Sequence, residues 1–188
     1  NWDVSKVTTM KLMFYRATNF DQPDLTNWDV SSVNGDGTTY MFSYSRFGAS
    51  GSPSANSNLQ NWDVSNITDM QGMFDESQFN LPIGNWDVSN VTNMQSMFKG
   101  SQFNQPIGDW DVSNVTNMSD MFRWNRVFNQ DIGSWDVSKV TNMSGMFLGD
   151  GAGTSFNQDI GNWNVSNVTN MSNMFTNVNL SDMETGYK

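Results

Sequence analysis

The sequence predicts an α/β repeat solenoid of leucine-rich-repeat type. About seven coils would each carry a short parallel β-strand on one face and a short helical or 3₁₀ segment on the other. Three observations carry this expectation. Trp recurs at positions 2, 28, 62, 86, 110, 135 and 163, at intervals of 26, 34, 24, 24, 25 and 28 residues. Each of these Trp residues opens an alternating segment, as in Asp109-Trp110-Asp111-Val112. Each alternating segment is followed by apolar residues at a wider spacing, as in Val115, Met118, Met121 and Phe122.

The coils start near residues 1, 27, 61, 85, 109, 134 and 162, and the array runs over 1–175. Trp110 and Val112 alternate with polar neighbours, which is the period of a half-buried strand. Ser113 then stands where an N-cap would, its hydroxyl placed to accept from an orphan N–H. Ser recurs there as Ser5, Ser31, Ser65, Ser89, Ser138 and Ser166. The apolar residues after it fall at i, i+3, i+6 and i+7, a helical face. The return segment, Phe103-Asn104-Gln105-Pro106-Ile107-Gly108, has Pro and Gly suited to a corner. Excess length lies outside the motif, at Asn34-Gly35-Asp36-Gly37, from Ser43 to Asn58, and at Gly149-Asp150-Gly151-Ala152-Gly153. Residues 176–188 depart from the repeat and form a partial repeat, a cap or a linker.

Composition narrows the function classes. The chain has 188 residues, no Cys and no His, so disulfides, thiolate nucleophiles and imidazole bases are absent. No apolar run is long enough to cross a bilayer as a helix. The formal charge of −10 disfavours nucleic acid and anionic lipid as partners. Without a nucleophile–base pair or a phosphate-cradling glycine loop, the sequence points away from an enzyme. The chain opens in mid-motif, at Asn1-Trp2-Asp3-Val4, as a segment of a longer protein would.

The string Val115-Thr116-Asn117-Met118-Ser119 through Met121-Phe122, then Phe128-Asn129-Gln130 and Ile132-Gly133, closes on Trp135-Asp136-Val137-Ser138. This pattern resembles the BspA-like leucine-rich-repeat surface proteins, in the variant catalogued in mycoplasma lipoproteins as a domain of unknown function. The resemblance extends from Asn1 to about Phe175. It implies modular, surface-exposed proteins often regarded as adhesins, and it implies no catalytic residues. Thr9 and Asn164 depart from the pattern, as do the insertions.

If Trp and Val point inward, Asp29, Asp63, Asp87, Asp111 and Asp136 form an outward column on the expected concave sheet, with Asp3 and Asn164 at its ends. That column is a candidate ligand face. The competing role is structural: an Asp two residues before Ser can accept backbone N–H bonds at a turn. A third role is Ca²⁺ binding by clustered carboxylates, with Asp36 and Asp150 in the Gly-rich loops as weaker candidates. Trp124 and Tyr15 break the repeat just after Met-Phe and are placed to stack on a sugar ring. Tyr40, Tyr44, Arg46 and Phe47 form a similar non-repeating group. The Asn-x-Thr sequons at Asn90, Asn114 and Asn167 follow from the repeat and are expected to be structural.

The expected function is therefore an extracellular adhesion or recognition module of a larger cell-surface protein. It would bind a host or cell-surface glycan or protein through the concave face or inserted loops, with flanking repeats of the same chain beside it. The alternatives are a non-binding structural spacer and a calcium-rigidified segment. No other cofactor is expected.

Overall fold

The computed structural model describes residues 2–20, 24–49, 51 and 57–178. The repeats stack, but not as the α/β solenoid expected from the sequence. Among the described residues the one helix is a 3₁₀ turn, Leu59–Asn61, and there is no β-sheet. Parallel pairing is reduced to isolated bridges: Gly35 with Ile67, Asp69 with Asn93, and Asn117 with both Asn93 and Asn142, which also pairs Asn170.

The hydrogen bonds explain why neither element forms. Along Met94–Ser101, alternate amides point in different directions. Met94, Ser96, Phe98 and Gly100 donate to the next coil, at Asn117, Ser119, Met121 and Arg123. Met97, Lys99 and Ser101 donate back three residues within their own coil. Half the amides thus close turns and half join coils, so neither an α-helix nor a strand ladder completes. Ser96 and Gly100 have φ of 56° and 61°, the left-handed third residue of a type II turn. A helix cannot pass through them. The spacing that resembled a helical face is a chain of turns, each delivering one residue inward.

The expected strand at Trp-Asp-Val fails for a different reason. Trp110 and Val112 do point inward and Asp111 outward, so the alternation is real. The backbone there is committed elsewhere. The Ile83 carbonyl accepts the Trp86 amide of its own turn at 3.1 Å and the Trp110 indole Nε1–H of the next coil at 3.2 Å. The same indole bond recurs from Trp62 to Leu25, Trp86 to Leu59, Trp135 to Ile107 and Trp163 to Ile132. Indole-to-carbonyl bonds replace ladder bonds on that side.

The core is one continuous cluster from Val4 to Met174. Two Phe columns run through it. Within a coil their rings lie close, as in Phe98–Phe103 at 4.0 Å; between coils they stack nearly parallel, as in Phe74–Phe98 at 5.7 Å and 4°. The Trp rings repeat this at 6.5 Å and 2° between Trp62 and Trp86. Identical side chains in register let each coil bury its aromatic faces against its neighbours, which one coil alone cannot do.

Candidate recognition face

The Asp column is built into turns. Oδ1 of Asp29, Asp63, Asp87, Asp111 and Asp136 each accepts the backbone N–H of the Ser two residues on, at 3.0–3.1 Å. In Asp29, Asp63 and Asp87 it also accepts that Ser hydroxyl at 2.6 Å. Asp29, Asp87, Asp111 and Asp136 are held below the usual carboxylate range, first by the Ser hydroxyl and then by the Ser amide. These Asp residues are exposed, but among the described residues there is no β-sheet to present them. Each of these Asp residues thus closes an Asp-x-Ser turn, the geometry of the structural role.

The two loop aspartates meet cations of their own chain. Asp36 pairs with Lys11 at 2.6 Å, and Asp150 pairs with Arg126 while its Oδ1 accepts the Ala152 amide at 2.9 Å. Among the described residues no three acidic side chains converge as metal ligands. Phe47 is the second Phe of its own repeat rather than part of an insertion. It is fully buried, stacked on Phe42 at 4.7 Å and Phe79 at 6.5 Å, so it contacts core and no ligand. Arg46 beside it is exposed. Most of the insertion that follows, residues 50 and 52–56, lies outside the described residues.

The residues that break the repeat gather elsewhere. The turn segment after the first Met position has two left-handed positions in six coils, at 12 and 16, 40 and 44, 72 and 76, 96 and 100, 120 and 124, and 173 and 177, and one in the sixth coil, at 145. All ten described non-glycine residues with positive φ sit at these two positions. Glycine fills them in Gly72, Gly100 and Gly145, where the left-handed region is free of steric cost. Arg16, Tyr40, Tyr44 and Trp124 occupy the same positions against a cost of about 1–2 kcal/mol each. Inter-coil bonds from Arg16 to Ser43, Tyr44 to Asp75, Glu76 to Lys99, Gly100 to Arg123 and Trp124 to Leu148 align these positions into one strip.

Along this strip side chains lean onto the next coil. A Cβ at Gly72 would collide with the Tyr40 ring, and one at Gly100 with the Glu76 carboxylate. Tyr15 and Tyr44 meet edge to face at 6.0 Å, and the Arg16 guanidinium lies 5.4 and 5.5 Å from their ring centres. Further along, Trp124 lies 4.2 Å from the Arg123 guanidinium and 5.3 Å from the Lys99 ammonium. Tyr15, Tyr44 and Trp124 stay 40%, 39% and 36% exposed in a chain whose other aromatic rings are mostly buried.

Asp75 lies beneath the strip. It is nearly buried, its Oδ1 is without a hydrogen bond, and Lys99 is 3.5 Å away. Burial pushes its carboxyl up to about 6, outweighing the Lys99 charge that pulls the other way. Nothing in the sequence marked Asp75 as different from the other aspartates, because its burial depends on the coils above and below.

The sequon asparagines are engaged. Nδ2 of Asn90, Asn114 and Asn167, the atom a glycan would occupy, donates to the Ser carbonyl of the preceding coil at 2.9, 2.8 and 2.7 Å.

This periodic chemistry matches one known family. The family described as Mycoplasma protein of unknown function, DUF285, matches residues 1–50, 45–151 and 102–185. The chain belongs to this family. No curated protein and no solved structure matches it. Within the DUF285 repeat, the Trp, Phe, Met and Asp-x-Ser residues account for the stack.

Proposed function

We propose that this DUF285 array is a non-catalytic recognition module of a larger cell-surface protein, related in role to the BspA-like surface proteins its repeat resembles. It binds a host or cell-surface ligand through the strip that includes Tyr15, Arg16, Tyr40, Tyr44, Lys99, Arg123 and Trp124. One observation carries this reading. Bulky and charged residues occupy left-handed positions where glycine costs nothing, and all such strain lies on one face. A spacer gains nothing from that strain. Tyr, Trp and Arg are also the residues that dominate binding hot spots.

The reading moves the ligand face away from the Asp column. Screening the protein on glycan and host-protein arrays tests both points. Saturable binding should be lost in Trp124→Ala or Tyr44→Ala and kept in Asp87→Asn, which retains the turn acceptor. Binding lost only in Asp87→Asn and Asp111→Asn returns the site to the column. Silence of the folded protein on both arrays favours the spacer.

A further inference from the structure

We infer that the N-terminal end of this strip is a subsite for a sugar bearing an anionic group, a carboxylate or a sulfate. The inference rests on the proposed recognition role and names its ligand class. Arg16 is exposed, and among the described residues its guanidinium has no carboxylate partner. Its neighbours on the strip behave otherwise: Lys99 faces Asp75 and Glu76, Arg123 faces Asp120, and Lys11 faces Asp36. Lys6, Arg46 and Lys139 likewise have no carboxylate partner among the described residues, but of these four cations only Arg16 lies against aromatic rings.

Two tyrosines hold this cation. The rings of Tyr15 and Tyr44 stand at 82° to each other with the guanidinium near both. Cation–π attraction orients the planar fork without consuming its N–H donors. Those donors suit two parallel bonds to a carboxylate or a sulfate. Exposed tyrosine rings beside the fork offer an apolar surface for the C–H face of a pyranose and hydroxyls for its oxygens. Arg46, two residues beyond Tyr44 in sequence, is also exposed. Arg16 and Tyr44 both stand at strained φ, 56° and 57°. Two of the triad's three residues thus stand where glycine would be favoured.

The test is calorimetric titration of the protein with three oligosaccharides of equal length: one containing glucuronate, one sulfated, and one neutral. At least one anionic oligosaccharide should bind about tenfold tighter than the neutral one and weaken as salt rises. Arg16→Gln should remove that preference, and Arg16→Lys should restore part of it, since charge returns without the fork. Arg16 is exposed, so both variants should keep the wild-type melting temperature, which is measured alongside. Equal affinity for all three sugars, no binding of either anionic sugar, or a preference that survives Arg16→Gln each overturns the inference. Should the arrays return a neutral glycan or a protein whose binding is lost in Trp124→Ala while both anionic sugars stay silent, the recognition role stands and this subsite falls.

Discussion

Asp75→Asn should change how stability depends on pH. In the folded chain this carboxyl is raised from 3.8 to about 6, chiefly by burial. The folded state therefore binds its proton more tightly than the unfolded state does. Stability from this group is fully present below the unfolded value, and it is lost as pH rises from about 4 through about 6. A shift of about two units corresponds to about 3 kcal/mol. The aspartates of the Asp-x-Ser turns act in the opposite sense. Asp29, Asp87, Asp111 and Asp136 are lowered, so their contribution is present above about 4 and lost as pH falls further. Maximum stability should accordingly lie near pH 4–5. Urea unfolding of wild type and Asp75→Asn at pH 4, 5, 6 and 7 measures the effect. Between pH 4 and 7 the free-energy gap should move in favour of the variant by about 2.4 kcal/mol. A gap that stays constant with pH would refute the argument that burial outweighs the Lys99 charge.

Other perturbations report on the stack. Phe98→Ala removes a fully buried ring that contacts Phe74, Phe103, Trp110 and Phe122, and should cost about 4–5 kcal/mol in denaturant unfolding. Trp110→Phe keeps an aromatic ring but removes the bond to the Ile83 carbonyl, and should cost about 2 kcal/mol. Ser96→Gly relieves a left-handed φ and should raise the thermal midpoint slightly. Gly72→Ala should lower it, because the new Cβ meets both a left-handed backbone and the Tyr40 ring.

The repeat was legible because its residues are invariant and inward. Trp62 through Trp163 and the Met and Phe pairs of the inner coils fall in the core, while Met13, Met171 and Phe175 in the first and last coils are exposed. Spacing could not tell a helix from a run of turns. Val115, Met118, Met121 and Phe122 meet a helical period, yet Asp120 at φ 56° shows that the chain turns there instead. A left-handed Asp or Ser carries no mark in the sequence; only Gly72, Gly100 and Gly145 at equivalent positions hint at it. The Asp-x-Ser turn was readable, since its partners lie two residues apart. The strip was not. Trp124 and Tyr15 stood out as departures, but their alignment with Tyr44 and Lys99 depends on inter-coil bonds over separations that insertions make unequal. Phe47 was misplaced for the same reason: it sits beside the insertion in sequence while holding the repeat's core position in space.

The most direct test of the recognition face is to replace Tyr44 and Trp124 together by Gly and to measure stability and array binding on the same sample. Relief of two left-handed side chains offsets the packing they lose, so the thermal midpoint should stay within about 4 °C of wild type. Binding should disappear. A folded double variant that still binds as wild type would contradict the assignment of this strip as the ligand face.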